Sequence, residues 1–390
     1  MISALVHEVR LMNNTFDAVV IGAGAFGAWT ALWLHSLGRS VALLDAYGTG
    51  NSRSSSGGES RILRMGYGAD EIYTAWAMRS RELWTALFDQ VGRPELFQDT
   101  GVLWTPPPGD PRAASIEAAF QNCGVAFQRL TAAELERAYP QLRFRDERIG
   151  LYEINAGVLL ARRAVQAVVE EAVRKGVEYS VDAALPSDGR ELKTESGRVL
   201  SAELFVYCGG PWLPKIFPEV LAGRIRVTRQ EVFFFGTPAG DRSFAPPHMP
   251  AWTDITDPHG AYTIPNLENR GFKLAFDRHG PEFDPDSGDR VAHGLPDARA
   301  FLAERFPKLA GAPLLESRVC QYENTSSGDF LIDRHPDFEN VWMVGGGSGH
   351  GFKHAPAVAE HACALIEGRE AVEPRFSLHS KARAHQRSVY

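Results

Sequence analysis

Cysteine is scarce in this chain: four in 390 residues, at positions 123, 208, 320 and 363. No two form a CxxC pair, which argues against a zinc site or a disulfide framework and suits a reducing compartment. Basic runs are also lacking. The net charge is −7, and no block of Lys or Arg could track a phosphate backbone, so neither nucleic acid nor an anionic membrane is expected as a partner. No apolar run approaches the roughly 18 residues of a membrane span. Residues 1–14 carry His7, Glu8 and Arg10 and lack the apolar core of a signal peptide. They read as a frayed leader, with Met12 as an alternative start to Met1, and a cytoplasmic protein is expected. No internal repeat or long low-complexity tract is visible.

The remainder is ordinary for a folded chain, with 44% hydrophobic and 23% charged residues and enough length for two domains. Residues 16–21 form a short apolar run ending at Gly22 and predict a buried strand. Residues 25–37 have helical character and stop at Gly38. Residues 40–44 predict a second buried strand ending at Asp45, which completes a βαβ unit. Residues 48–60 are mostly Gly, Ser, Asn and Arg and predict a loop. Helices are expected over 71–90, 159–175 and from about 355 to 366, and strands over 177–179, 204–207 and 341–344. Residues 91–150 mix short strands, a Pro-rich turn at 106–108 and a helix. Residues 221–330 alternate in runs such as 226–235 and 272–276, the texture of antiparallel sheet. The expected fold class is α/β with an α+β insert. A dinucleotide-binding domain comes from 15–90, 151–220 and 331–380, and an antiparallel-sheet substrate domain from 91–150 and 221–330.

Gly22, Gly24 and Gly27 form a GxGxxG between a strand and a helix. The first allows the tight turn, the second lets a pyrophosphate approach the backbone, and the third lets helix and strand pack closely. The helix N-terminus offers free N–H groups to phosphate, and Asp45 stands where an acid bonds a ribose hydroxyl. Together these make the fold Rossmann-like. The polar loop that follows, with Ser54, Ser60, Arg61 and Arg64, can run along an extended FAD towards its ring. Lys273 has apolar neighbours, so its ammonium points into a cavity or snorkels at a sheet edge. Cys320 is either an ordinary buried cysteine or a reactive one. The glycine-rich turn with Gly346, Gly347, Gly349 and Gly351 precedes a helix and can stabilise negative charge. His350 within it is a binding residue or a core histidine.

These segments resemble the family of monomeric sarcosine oxidase and N-methyltryptophan oxidase, flavoprotein amine oxidases of the D-amino acid oxidase superfamily. The resemblance runs over nearly the whole chain. Arg61-Ile62-Leu63-Arg64 with Tyr67 matches the family's flavin-loop stretch, and Tyr262 and Pro265 precede Lys273 at the family's spacing. Cys320-Gln321-Tyr322 parallels the segment that carries a cysteinyl-flavin bond, and His350-Gly351-Phe352-Lys353 matches the substrate-pocket signature. The resemblance implies FAD as cofactor, held covalently through Cys320. It implies catalytic roles for Lys273, Arg61, Tyr322 and His350, with Lys273 activating dioxygen. Arg64 and Lys353 would hold a substrate carboxylate, with Tyr67, Tyr262 and Asp277 also on the substrate side, and no metal is involved.

Three departures lie on that side. Asp277 stands where sarcosine-specific members carry a histidine. Residues 251–254 lack a methionine, and Ser56-Gly57 replaces a His-His pair. They point to a secondary or N-substituted amino acid other than sarcosine, with Asp277 either facing the substrate or pairing with Arg278 or His279. The implied reaction is C–N oxidation to an imine with O2 reduced to hydrogen peroxide, by a monomer. A dehydrogenase that passes electrons to a partner protein is the alternative. A tRNA-modifying flavoprotein would need a basic face, which this acidic chain lacks.

Overall fold

The computed structural model describes residues 14–144, 146–185, 189–254 and 260–384. The leader and its two candidate start methionines lie outside them. Among the described residues, no helix is long and apolar enough to cross a membrane.

The βαβ unit forms as its periodicity dictates. The apolar strand Thr15–Ile21 pairs in parallel with Val41–Asp45 on one side and Val199–Tyr207 on the other. Its side chains are buried on both faces, which is why the sequence shows a continuous apolar run rather than alternation. The sheet continues from Val199–Tyr207 to Val341–Gly345 in parallel and then to Leu331–Arg334 antiparallel. At its other edge Glu178–Val181 pairs with Val41–Asp45.

The helix Ala25–Ser36 lies between Ala161–Lys175 and Gly351–Ile366. Trp29 meets Trp84 of the helix Glu71–Gln90 edge-on, with centroids 5.1 Å apart, a contact that adds about 0.5–1.5 kcal/mol to the area buried. The helix Ala161–Lys175 closes on Gly176 at φ +119°, whose N–H bonds the carbonyl of Ala172.

A second, eight-stranded sheet runs in the order Leu314–Thr325, Ile225–Phe235, Phe272–Phe276, Ala261–Ile264, Ala251–Thr253, Val102–Trp104, Gly150–Glu153, Phe127–Leu130. Its pairs are antiparallel except Val102–Trp104 with Ala251–Thr253. One face packs a core that includes Phe233, Phe235, Phe244, Phe272 and Trp252. The other face turns towards the βαβ layer. A small third sheet joins Arg61–Leu63, Gly157–Leu159 and Phe97–Gln98.

That third sheet explains one departure from the expected elements. The helix expected over 159–175 starts only at Ala161, because residues 157–159 are taken up as its central strand. The last helix starts at Gly351 rather than near residue 355. Glycines hide the helical pattern there, and the amide of Gly351 is already bonded to the carbonyl of Gly347.

Candidate active site

A long cleft of about 290 Å³ runs between the two sheets. At one end lies the glycine turn. Gly22 has φ +103°, and a Cβ there would sit 2.4 Å from the carbonyl oxygen of Cys208. A Cβ on Gly27 would lie 1.8 Å from the carbonyl oxygen of Gly22, so the third glycine lets the helix press on the turn. The first helical amide, Ala25 N–H, donates to Ser56 Oγ (3.0 Å). Asp45 lines the cleft, but its oxygens accept from Ala23 N–H (2.8 Å) and Tyr47 N–H (2.9 Å). It therefore ties the turn to the strand end, and burial raises its pKa.

The other end is formed by Ser54, Arg61, Cys320, Tyr322 and the turn residues Gly347, Gly349 and Gly351. Gly27, Ser60, Gly346 and Lys353 do not line the cleft. Gly346 faces Thr325 and Leu331. Ser60 contributes its carbonyl, which accepts from Arg61 Nη1 (2.8 Å) and Lys273 Nζ (2.9 Å). Arg61 Nη2 reaches Ser55 O at 2.6 Å and lies 3.7 Å from Cys320 Sγ.

Lys273 is 1% exposed. Strand alternation sends Phe272 and Leu274 into the aromatic core and Lys273 to the opposite face, below Cys320 in a small chamber with Tyr262 and Arg318. Burial, then the charge of Arg61, push its pKa well below the usual lysine value. Its surroundings thus disfavour the charged ammonium that a lysine usually carries.

Beside Arg61 a second chamber of about 80 Å³ is lined by Arg64, Trp104, Tyr262, Asp277, Tyr322, His350 and Lys353, among others. Arg64 stacks between the rings of Tyr67 (4.4 Å) and Trp104 (5.0 Å) and donates to Gly66 O. Lys353 Nζ lies 5.1 Å from the Tyr67 ring and donates to His350 O (3.1 Å). The two cations, distant in sequence, thus share one aromatic ring.

Beneath them runs a buried relay. His350 Nε2 faces Gly328 O (3.0 Å), so it carries a hydrogen and Nδ1 accepts from Tyr67 Oη (3.2 Å). Tyr67 Oη in turn accepts from His354 Nε2 (2.8 Å). Arg278 bonds Asp297 (3.0 Å). Asp277 Oδ1 accepts from Tyr322 Oη (3.0 Å). Burial, then Asp277, raise the Tyr322 pKa well above normal, and burial brings Tyr262 to about 12.

Several residues here are absent from the sequence reading. Glu153 is fully buried and accepts from Met65 N–H (2.6 Å), Gly66 N–H (3.1 Å) and Trp104 Nε1 (2.6 Å). It holds the backbone after Arg64 and one of the rings on which Arg64 stacks. His354 completes the relay, and Glu323 lines the cleft. For Glu153 the sequence signal was an isolated acid closing an apolar strand.

The FAD dependent oxidoreductase family matches residues 17–365 of the chain. The chain belongs to this family. Monomeric sarcosine oxidase of Streptomyces avermitilis is 30% identical over 361 residues, covering 90% of this chain and 93% of the relative. N-methyl-L-tryptophan oxidase of Citrobacter koseri is 27% identical over 380 residues, with 93% and 97% covered. Among solved structures, L-proline dehydrogenase of P. horikoshii superposes with a TM-score of 0.79 at 19% identity, covering 94% of this chain and 98% of that one. Fructosamine oxidase (Amadoriase II) of Aspergillus fumigatus does so with 0.78 at 20%, covering 96% and 92%. Both share its fold.

For a member of the FAD dependent oxidoreductase family the cleft fits the cofactor. The Gly22 turn has no room for a side chain, and the cleft connects it to Cys320 and Gly347. Gly22, Gly24 and the start of the helix would hold the phosphates, and the strand with Cys320 and Tyr322 would face the ring.

Proposed function

We propose that the protein is an oxidase of a secondary or N-substituted amino acid that is larger than sarcosine or differently charged, with its FAD bonded through Cys320. The observation that carries this reading is the chamber in which Arg64 and Lys353 converge beside the cleft, with Asp277 and Tyr322 also on its wall. Arg64 and the buried Lys353, both against the Tyr67 ring, present two positive charges to an anion, and opposite charges at that range attract. A substrate carboxylate supplies it, and Arg64 can bond it bidentately.

Asp277 adds negative charge to the same chamber, where a second amine or a set of hydroxyls on the substrate would meet it. The bound cofactor would supply hydride acceptance from the carbon beside the amine and electron transfer to O2, with hydrogen peroxide as the product. Lys273, buried below Cys320 with its pKa pushed down by burial and by Arg61, stands where a protonated amine would stabilise negative charge that builds beside it. The Tyr67 relay keeps His350 oriented. Cysteines without disulfides support a cytoplasmic setting, and the relatives named monomeric support a monomer.

Acid precipitation tests the covalent bond: colour should stay in the wild-type pellet and leave with free FAD in Cys320→Ser. Wild type that releases all its flavin would remove Cys320 from this role. A panel of sarcosine, pipecolate, proline, N-methyl aromatic and fructosyl amino acids, assayed for peroxide in air, should place sarcosine below the best substrate in kcat/KM. Sarcosine at the top of the panel would overturn the reading of Asp277. Turnover only with an artificial acceptor would make the protein a dehydrogenase.

A further inference from the structure

We propose that O2 enters through a separate cavity on the far side of Lys273 from Cys320, and not through the chamber that takes the amino acid. This rests on the reading that O2 reoxidises the flavin beside the chamber below Cys320. That chamber, of about 30 Å³, is one of two spaces that Lys273 borders. The second, also of about 30 Å³, is lined by Ser60, Leu160, Ile264, Leu267 and Gly271 among others. Lys273, Phe234 and Glu59 are walls common to both. The Lys273 amine, donating to Ser60 O (2.9 Å), thus stands as the partition between them. The rim of the second cavity carries two ion pairs, Arg163 with Glu268 and Arg270 with Glu59, whose side chains are partly exposed. Its inner wall of Leu160, Phe234, Ile264 and Leu267 is buried. The line from solvent to Cys320 therefore runs past a charged rim, an apolar wall and one lysine.

The chamber's other neighbours offer no such passage. The long cleft meets it at Ser54, Arg61, Cys320 and Tyr322, where the flavin ring would lie. Towards the substrate chamber stand Arg61, Tyr262 and Tyr322, which line both spaces, and Tyr322 is tied to Asp277 (3.0 Å). Towards the cavity under residues 278–294 the wall is Gln230, whose amide donates to Arg278 O (2.9 Å) and whose side-chain carbonyl accepts from Gly280 N–H (3.0 Å). On the side of the second cavity the wall is Phe234 and Lys273, and a lysine's four-carbon stem is flexible. The lining also selects for O2. A zwitterionic amino acid would pass Leu160, Ile264 and Leu267 at a heavy desolvation cost, whereas O2 carries no charge. In the chamber O2 accepts two electrons and two protons and becomes hydrogen peroxide. Amino acid and O2 can therefore occupy the protein together.

Stopped-flow reoxidation of the photoreduced holoenzyme by O2 tests this. The second-order rate constant should fall ~10-fold in Leu267→Trp, which fills the second cavity, and by a smaller factor in Leu160→Phe. Anaerobic reduction by the substrate should be unchanged in both. The pH profile of reoxidation should keep its wild-type form, which a displaced Lys273 would alter. With pyrrole-2-carboxylate saturating the substrate chamber of wild type, reoxidation should stay within ~3-fold of the rate of the free enzyme. Rates within ~2-fold of wild type in both folded variants would overturn the route, as would a pH profile that moves with the rate. An inhibitor that blocks reoxidation would overturn it too, and this arm decides alone if neither variant folds. Photoreduced wild type that ignores O2 would instead refute the oxidase reading itself.

Discussion

Replacing Arg64 by alanine removes one of the three cationic side chains, with Arg61 and Lys353, that line the 80 Å³ chamber. A hydrogen bond to a charged group contributes about 1.5–3 kcal/mol, which is ~10- to 150-fold in a dissociation constant. Lys353 stays, so binding of a carboxylate weakens by that factor rather than vanishing. The fold should survive. Arg64 loses contact with the rings of Tyr67 and Trp104, about 0.5–1 kcal/mol each, against a total stability of roughly 5–15 kcal/mol. Glu153 still holds Met65, Gly66 and Trp104 in place. The assay is competitive inhibition by pyrrole-2-carboxylate, with kcat/KM for the best substrate and for its decarboxylated amine measured in parallel. The inhibitor and the amino acid should both suffer, and the amine, already poor, should change little. Arg64→Lys keeps the charge without the planar fork and should fall between the two. An equal loss for the amine, or an inhibition constant within ~3-fold of wild type, would refute carboxylate binding at Arg64.

Lys273→Met should slow reoxidation of the photoreduced enzyme by air ~100-fold while leaving substrate-driven reduction nearly intact; unchanged reoxidation would remove Lys273 from that role. His354 is held well below its usual pKa by burial, then by Lys353, His350 and Arg64. It is neutral in the fold and takes a proton in the unfolded chain below about pH 6.5. Stability should therefore fall as pH drops through that value, by up to about 1.4 kcal/mol per pH unit for one proton. Urea midpoints of wild type and His354→Gln at acid and neutral pH should show the variant with the flatter acid side; parallel curves would contradict the relay's charge state. Gly27→Ala puts a Cβ 1.8 Å from Gly22 O. It should cost about 1–3 kcal/mol or more together with flavin content, so a variant with wild-type Tm and full flavin would show that the turn can yield.

Where a structural instruction is local, the sequence alone determined the outcome. The run before Gly22, the helix after it and the second strand were all legible because burial on both faces leaves a continuous apolar stretch. The helix Glu71–Gln90 and the strand Phe272–Phe276 have the bounds expected from periodicity. Lys273 stood out because its strand neighbours are apolar. The tertiary structure decided what such residues meet. The carbonyl that accepts the Lys273 proton is 213 positions away, and the Tyr67–His354 bond spans 287. Asp277 was legible as a departure, but only the fold placed it on Tyr322. Glu153 and Glu323 were passed over because a lone acid in a sequence looks like solvated surface. Its chemistry depends on burial and on which amides surround it, and both are set by chain segments that no local pattern brings together.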